Sequence, residues 1–182
     1  MNLPAFITPN FITILRLLFV PVGAYTLFKN GGNDPTWQYI SWCVFFVLGM
    51  SDILDGNLAR SRGKITEFGK FLDPVADKFM IGTAMVSLSM LDRMPWWITI
   101  VILVREIGIT IFRVIVIKGG VIPANKGGKI KTMMQGFGVG FYVLPLDEGL
   151  YWFRDGFMYI AVILTIVTGA YYIKSAITQS ID

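Results

Sequence analysis

The sequence predicts an all-α, polytopic membrane protein with six transmembrane helices. Of its 182 residues 54% are hydrophobic and 15% charged, and the mean hydropathy is +0.63, which leaves too little polar surface to coat a soluble globule. Six separated windows are apolar over about the 20 residues that a helix needs to cross roughly 30 Å of hydrocarbon. Lysine and arginine concentrate in alternate connections between those windows, as they do on the cytoplasmic side of a membrane.

The first span is placed at residues 11–28 and is expected to be retained, because no positive charge precedes Arg16 and no small-residue cleavage site follows the apolar run. Lys29-Asn-Gly-Gly-Asn-Asp-Pro35 is turn-rich and introduces the second span, 37–58. The charged stretch 60–67 leads to the third, 71–91, and Asp92-Arg-Met-Pro95 to the fourth, 96–117. A basic, glycine-rich stretch, 119–131, precedes the fifth span at 132–146, and 147–155 precedes the sixth at 157–177. The whole chain, 1–182, is expected to be one membrane-embedded catalytic domain.

Arg60, Arg62, Lys64 and Lys70 lie between spans two and three, and Lys118, Lys126, Lys129 and Lys131 between four and five. The other connections hold only Lys29, Arg93 and Arg154, so both termini are expected in the cytoplasm. Trp37, Trp96, Trp97, Tyr151 and Trp152 then fall at outer ends, where an interfacial aromatic belt belongs. The single cysteine, Cys43, excludes an intramolecular disulfide. The absence of histidine removes the usual neutral-pH base and every Ser-His or Cys-His scheme. Acid–base or metal chemistry therefore falls to carboxylates, and no nucleic-acid partner is expected.

Four carboxylates stand where hydrocarbon makes them costly. Asp52 and Asp55 fall in the last turns of span two, and Asp73 and Asp77 in the first turns of span three. Arg105, Glu106 and Arg113 fall in the inner half of span four and Arg16 near the inner end of span one, so the intramembrane charge converges on the cytoplasmic half. Residues three or four apart share a helix face, which makes two facing pairs of oxygen ligands. Hard divalent cations take such donors, and Mg²⁺ in particular is bound by carboxylates together with substrate phosphates. Salt bridging to Arg60, Lys78 or Arg105 is the plain structural alternative. Gly56 and Gly69 admit a close backbone or phosphate approach, and the Arg60 guanidinium suits bidentate phosphate binding. Gly63-Lys64 is no P-loop, because the upstream glycine and the following Ser/Thr are missing.

Asp52-x2-Asp55-Gly56-x2-Ala59-Arg60-x8-Gly69-x3-Asp73-x3-Asp77 fixes eight identities over 26 positions and resembles the signature of the CDP-alcohol phosphatidyltransferase family. The resemblance implies a six-helix membrane fold, a homodimer, and transfer of a phosphatidyl group from a CDP-linked lipid to an alcohol with Mg²⁺ or Mn²⁺, as two ions. By the same resemblance Asp52, Asp55 and Asp73 would hold metal, with Asp77 as a further ligand or as the base that deprotonates the acceptor. Gly56, Arg60 and Gly69 would contact the CDP diphosphate; Thr13 is assigned to the CDP-lipid with them, and Thr13 and Arg16 would frame the nucleotide or acceptor pocket.

Pro9-Asn-Phe-Ile-Thr13-Ile-Leu-Arg16, Leu72-Asp-Pro-Val-Ala-Asp-Lys78, Arg105-Glu-Ile-Gly-Ile-Thr110 and Gly128-Lys-Ile-Lys-Thr-Met-Met-Gln135 resemble the bacterial branch of that family whose acceptor is sn-glycerol 3-phosphate, the phosphatidylglycerophosphate synthases. This implies CDP-diacylglycerol and glycerol 3-phosphate as substrates, and a bacterial cytoplasmic membrane with the active site on the cytoplasmic side. Charge agrees: a phosphorylated acceptor needs cations that a neutral one does not, and Arg105, Arg113, Lys129 and Lys131 are placed to supply them. The lysines also suit anionic lipid head groups. Competing readings are another acceptor within the family, as in a cardiolipin synthase or an inositol phosphate transferase, and an ion-coupled transporter. A transporter would carry repeated halves with sites at the midplane, and no such repeat is present.

Overall fold

The computed structural model describes the backbone of residues 9–61, 67–116 and 126–179, and side chains over 11–51, 72–112 and 130–175. Among the described residues all regular structure is helical. α1 spans Pro9–Phe28, α2 Pro35–Ser61, α3 Glu67–Met90, α4 Trp96–Val116, α5 Lys126–Val143 and α6 Tyr151–Gln179. A 3-10 turn, Lys29–Gly32, joins the first two helices, and another, Glu148–Leu150, leads into α6.

The boundaries follow from local chemistry. Asn30, Gly31 and Gly32 adopt φ of 51°, 69° and 77°, which stops the helical run after α1. α2 restarts on Pro35, whose fixed φ and missing N–H suit a first helical position. Asp34 caps it: its Oδ1 accepts the Thr36 N–H at 2.9 Å and its Oδ2 the Asn30 side-chain amide at 2.7 Å. The Asn30 amide holds the Asp34 carboxyl below its usual range. α3 ends in a Schellman turn: the Arg93 N–H donates to Leu88 O at 2.9 Å and the Asp92 N–H to Ser89 O at 3.1 Å, with Asp92 at φ 55°. Pro21 and Pro74 lie inside α1 and α3 without ending them.

The expected elements are all found, with different ends. α5 begins at Lys126, six residues before the expected 132, and stops three short of 146. Helix propensity misplaces that start, because Lys126, Gly127 and Gly128 read as part of a basic, glycine-rich connection. α6 takes in 151–156, which charged and aromatic composition marks as a connection. α2 continues past 58 to Ser61, and α3 starts at Glu67 rather than 71, so Asp73 and Asp77 lie in its second and third turns.

The chain divides into two units, Met1–Arg93 with Val143–Pro145, and Met94–Tyr142 with Leu146–Asp182. In the first, α1 packs along both α2 and α3, whereas among the described residues α2 and α3 touch each other far less. Its core includes Val20, Leu27, Leu48, Ala76, Met85 and Leu88. Gly32 closes it: a Cβ there would come within 2.8 Å of Leu91 Cδ1. Its carbonyl accepts from Gln38 Nε2 at 2.6 Å. In the second unit α4 packs on α6, and the buried residues include Ile98 and Ile102 of α4, Val139 of α5, and Met158 and Ala161 of α6.

Polarity is inverted relative to a water-soluble protein. Leu18, Val47, Val104 and Ile163 are 65%, 64%, 66% and 59% exposed, whereas Thr13, Arg16, Ser41, Lys131, Gln135 and Thr165 are buried. Large apolar side chains facing outward along helix after helix match a lipid solvent rather than water. Two helical stretches, Phe11–Gly32 of 22 residues and Glu148–Ser175 of 28, are by themselves long and apolar enough to cross a membrane.

Candidate active site

The aspartates are carried by the first unit. Asp52 and Asp55 lie on the last three turns of α2, and Asp73 and Asp77 on α3, one turn apart and therefore on one face. Asp73 and Asp77 are both partly exposed. Asp73 Oδ1 accepts the Thr13 hydroxyl at 2.8 Å, a bond from α1 to α3. Three residues along α1, Arg16 Nε donates to Ser51 Oγ at 3.3 Å, and Ser51 Oγ donates to Leu48 O at 2.7 Å. The side chains of Asp52, Asp55, Arg60, Arg113 and Lys129, and the surroundings of Gly56 and Gly69, lie outside the described residues. Among the described residues alone, no three acidic, cysteine or histidine side chains converge. The donors that are described, two carboxylates one helical turn apart, fit a hard divalent cation in chemistry and spacing.

The second unit holds a separate polar cluster. Arg105, midway along α4, donates from Nε to Thr165 O at 3.1 Å, from Nη2 to Thr168 Oγ1 at 3.0 Å, and from Nη1 to Glu106 Oε1 at 3.0 Å. Lys131 of α5, nearly fully buried, donates to the same Glu106 oxygen. Gln135 Nε2 donates to Thr165 Oγ1 at 2.9 Å. Among the described residues two cations share one carboxylate. The structure thus joins two of the four basic residues expected at the acceptor, Arg105 and Lys131, through an acid. Sequence reasoning misses Thr165, Thr168 and Gln135 as members of this cluster. Their signal is present all the same: polar side chains inside apolar runs turn to the bundle interior.

Residues 6–167 match the model of the CDP-alcohol phosphatidyltransferase family, to which this chain belongs. It is 45% identical over 168 residues to a probable phosphatidylglycerophosphate synthase of Mycobacterium tuberculosis, covering 92% of this chain and 80% of that protein. It is 32% identical over 177 residues to the CDP-diacylglycerol–glycerol-3-phosphate 3-phosphatidyltransferase of Bacillus subtilis, covering 90% of this chain and 92% of that one. In fold it resembles the phosphatidylinositol phosphate synthase of M. tuberculosis in apo form, with a TM-score of 0.69, 23% identity, and coverage of 95% of this chain and 90% of that one. That protein has also been solved with CDP-DAG bound and in complex with manganese and citrate, at TM-scores of 0.67 and 0.65. Family membership displaces the transporter reading.

Proposed function

We propose that this chain transfers a phosphatidyl group from CDP-diacylglycerol to sn-glycerol 3-phosphate, giving phosphatidylglycerol phosphate and CMP. The likeness to the M. tuberculosis and B. subtilis proteins over most of their lengths carries this reading, because both names specify that product or that acceptor. The complete aspartate signature supports it from the residues upward. The family model extends across both units, which favours residues 1–182 acting as one catalytic domain.

Asp52, Asp55, Asp73 and Asp77 would hold two ions, Mg²⁺ or Mn²⁺; when bound, these neutralise the diphosphate and supply Lewis acidity at phosphorus. Asp77 takes the proton of the acceptor hydroxyl, or completes the ligand set, as that oxygen bonds to the phosphatidyl phosphorus and the bond from this phosphorus to the CMP oxygen breaks. Asp77→Asn separates the two roles. Loss of metal binding marks a ligand, and loss of turnover with binding kept marks the base.

Gly56, Arg60 and Gly69 cradle the CDP diphosphate, with Thr13 behind them. Arg105, Arg113, Lys129 and Lys131 attract the acceptor phosphate, which can compete with Glu106 for its two cations. The protein works as a six-span homodimer in a bacterial cytoplasmic membrane, with both termini and the active site on the cytoplasmic side. The outward apolar side chains and the basic connections between alternate helices support that arrangement.

The test is CMP release by purified protein in detergent with CDP-diacylglycerol and Mg²⁺ or Mn²⁺, offering glycerol 3-phosphate, inositol phosphate, serine or phosphatidylglycerol. Metal-dependent release with glycerol 3-phosphate alone is the expected result. Release with another acceptor instead would keep the family and overturn the acceptor.

A further inference from the structure

We infer that Thr13 is a positioning residue for Asp73, and that α1 is the brace through which the two aspartate-bearing helices are held in register. This rests on the reading of Asp73 as a metal ligand. Thr13 is fully buried, and its hydroxyl donates to Asp73 Oδ1 at 2.8 Å within the protein. Other threonines in the bundle, Thr110, Thr165 and Thr168, each donate to a carbonyl four residues back on their own helix. Thr13 reaches a carboxylate 60 residues away on another helix. The bond fixes the carboxylate plane, which decides where its second oxygen points.

Arg16 repeats the device on the other side. It follows Thr13 by three residues and so shares its face of α1. It is 1% exposed, and its Nε meets the hydroxyl of Ser51, the residue that immediately precedes Asp52. One face of α1 therefore holds α3 at Asp73 and α2 beside Asp52. Among the described residues α1 contacts each of these helices far more than they contact each other, which makes α1 the shared tie between Ser51 and Asp73. Groups that orient a ligand typically change metal affinity or activity by about 10- to 100-fold when removed.

The experiment measures Mn²⁺ binding to the purified full chain without substrate, from the electron paramagnetic resonance signal of free Mn²⁺. It compares Thr13→Val, Thr13→Ala, Thr13→Ser and Asp73→Asn with the unaltered protein. Removing the hydroxyl with Val or Ala is expected to weaken Mn²⁺ binding about 10- to 100-fold and to lower kcat; Ser is expected to restore both. Val preserves the shape of the side chain and Ala leaves room to relax, so a folding failure of one leaves the other to decide. Unaltered Mn²⁺ affinity in the hydroxyl-free variants, with Asp73→Asn losing it, overturns the positioning role alone. A raised KM with Mn²⁺ affinity intact also overturns it, in favour of direct lipid contact. Retention of Mn²⁺ affinity by Asp73→Asn overturns the metal reading and this inference with it.

Discussion

A carboxylate inside a membrane bundle is kept only where something repays its desolvation, and the aspartates of α2 and α3 differ from Glu106 in what repays them. Glu106 is neutralised within the protein by Arg105 and Lys131. Removing its charge takes the shared carboxylate from two cations, one of them buried, and breaking such a pair costs about 3–5 kcal/mol. With 17% of Glu106 exposed, Glu106→Gln is expected near the lower end, about 3 kcal/mol, read as a fall in the thermal unfolding midpoint. If the acceptor phosphate occupies the same cations, glycerol 3-phosphate will raise that midpoint more in Glu106→Gln than in the unaltered chain. An equal rise in both would move the acceptor site away from Arg105 and Lys131. The aspartates call for the opposite expectation. Asp52→Asn, Asp55→Asn and Asp73→Asn should each lower CMP release at least about a hundredfold while leaving the protein folded, because their charge serves the transition state rather than the fold. Retention of a tenth of the rate in any one would remove that residue from the metal site.

At the scale of elements, Gly32 shows how a connection can be as constrained as a helix. Its φ of 77° demands glycine, and so does Leu91 Cδ1, which lies 2.8 Å from the place a Cβ would take. Gly32→Ala is expected to cost at least about 1 kcal/mol from the left-handed backbone alone. The double variant with Leu91→Ala should recover the steric part and leave the backbone part, a coupling that a double-mutant cycle of unfolding midpoints resolves. Additivity of the two changes would place the strain elsewhere. The helices themselves are legible from apolar length, and the aspartate pairs from their three- and four-residue spacing. What is not legible is where helices end in polar sequence: Lys126–Lys131 reads as a loop by charge and glycine, yet it is helical. The ties between helices are equally hidden. Nothing in a linear pattern says that Thr13 meets Asp73, or that Arg105 reaches Thr165 and Thr168, because such pairs are set by packing across about 60 residues of chain.

For the whole molecule the central question is how many helices cross the bilayer, since only two stretches among the described residues qualify by length and apolarity alone. The other helices carry the polar and charged residues that a catalytic bundle turns inward, and each such residue lowers the apparent hydropathy of a span without preventing it from crossing. The exposed apolar side chains of α2 and α4, Val47 and Val104 among them, are what a lipid-facing surface requires of a crossing helix. Six crossings put the connections around Asn33 and Gly149 outside, and those around Gly63 and Gly120 inside. The single Cys43 makes the test simple. In a Cys43→Ser background, Asn33→Cys and Gly149→Cys should react with a membrane-impermeant maleimide in intact spheroplasts, whereas Gly63→Cys and Gly120→Cys should react only after permeabilisation. Two crossings, at Phe11–Gly32 and Glu148–Ser175, would leave all four positions outside, so labelling of either inner position in intact cells removes the six-span arrangement. Protection of both, with the outer pair labelled, fixes the aspartate ends of α2 and α3 on the side where CMP is released.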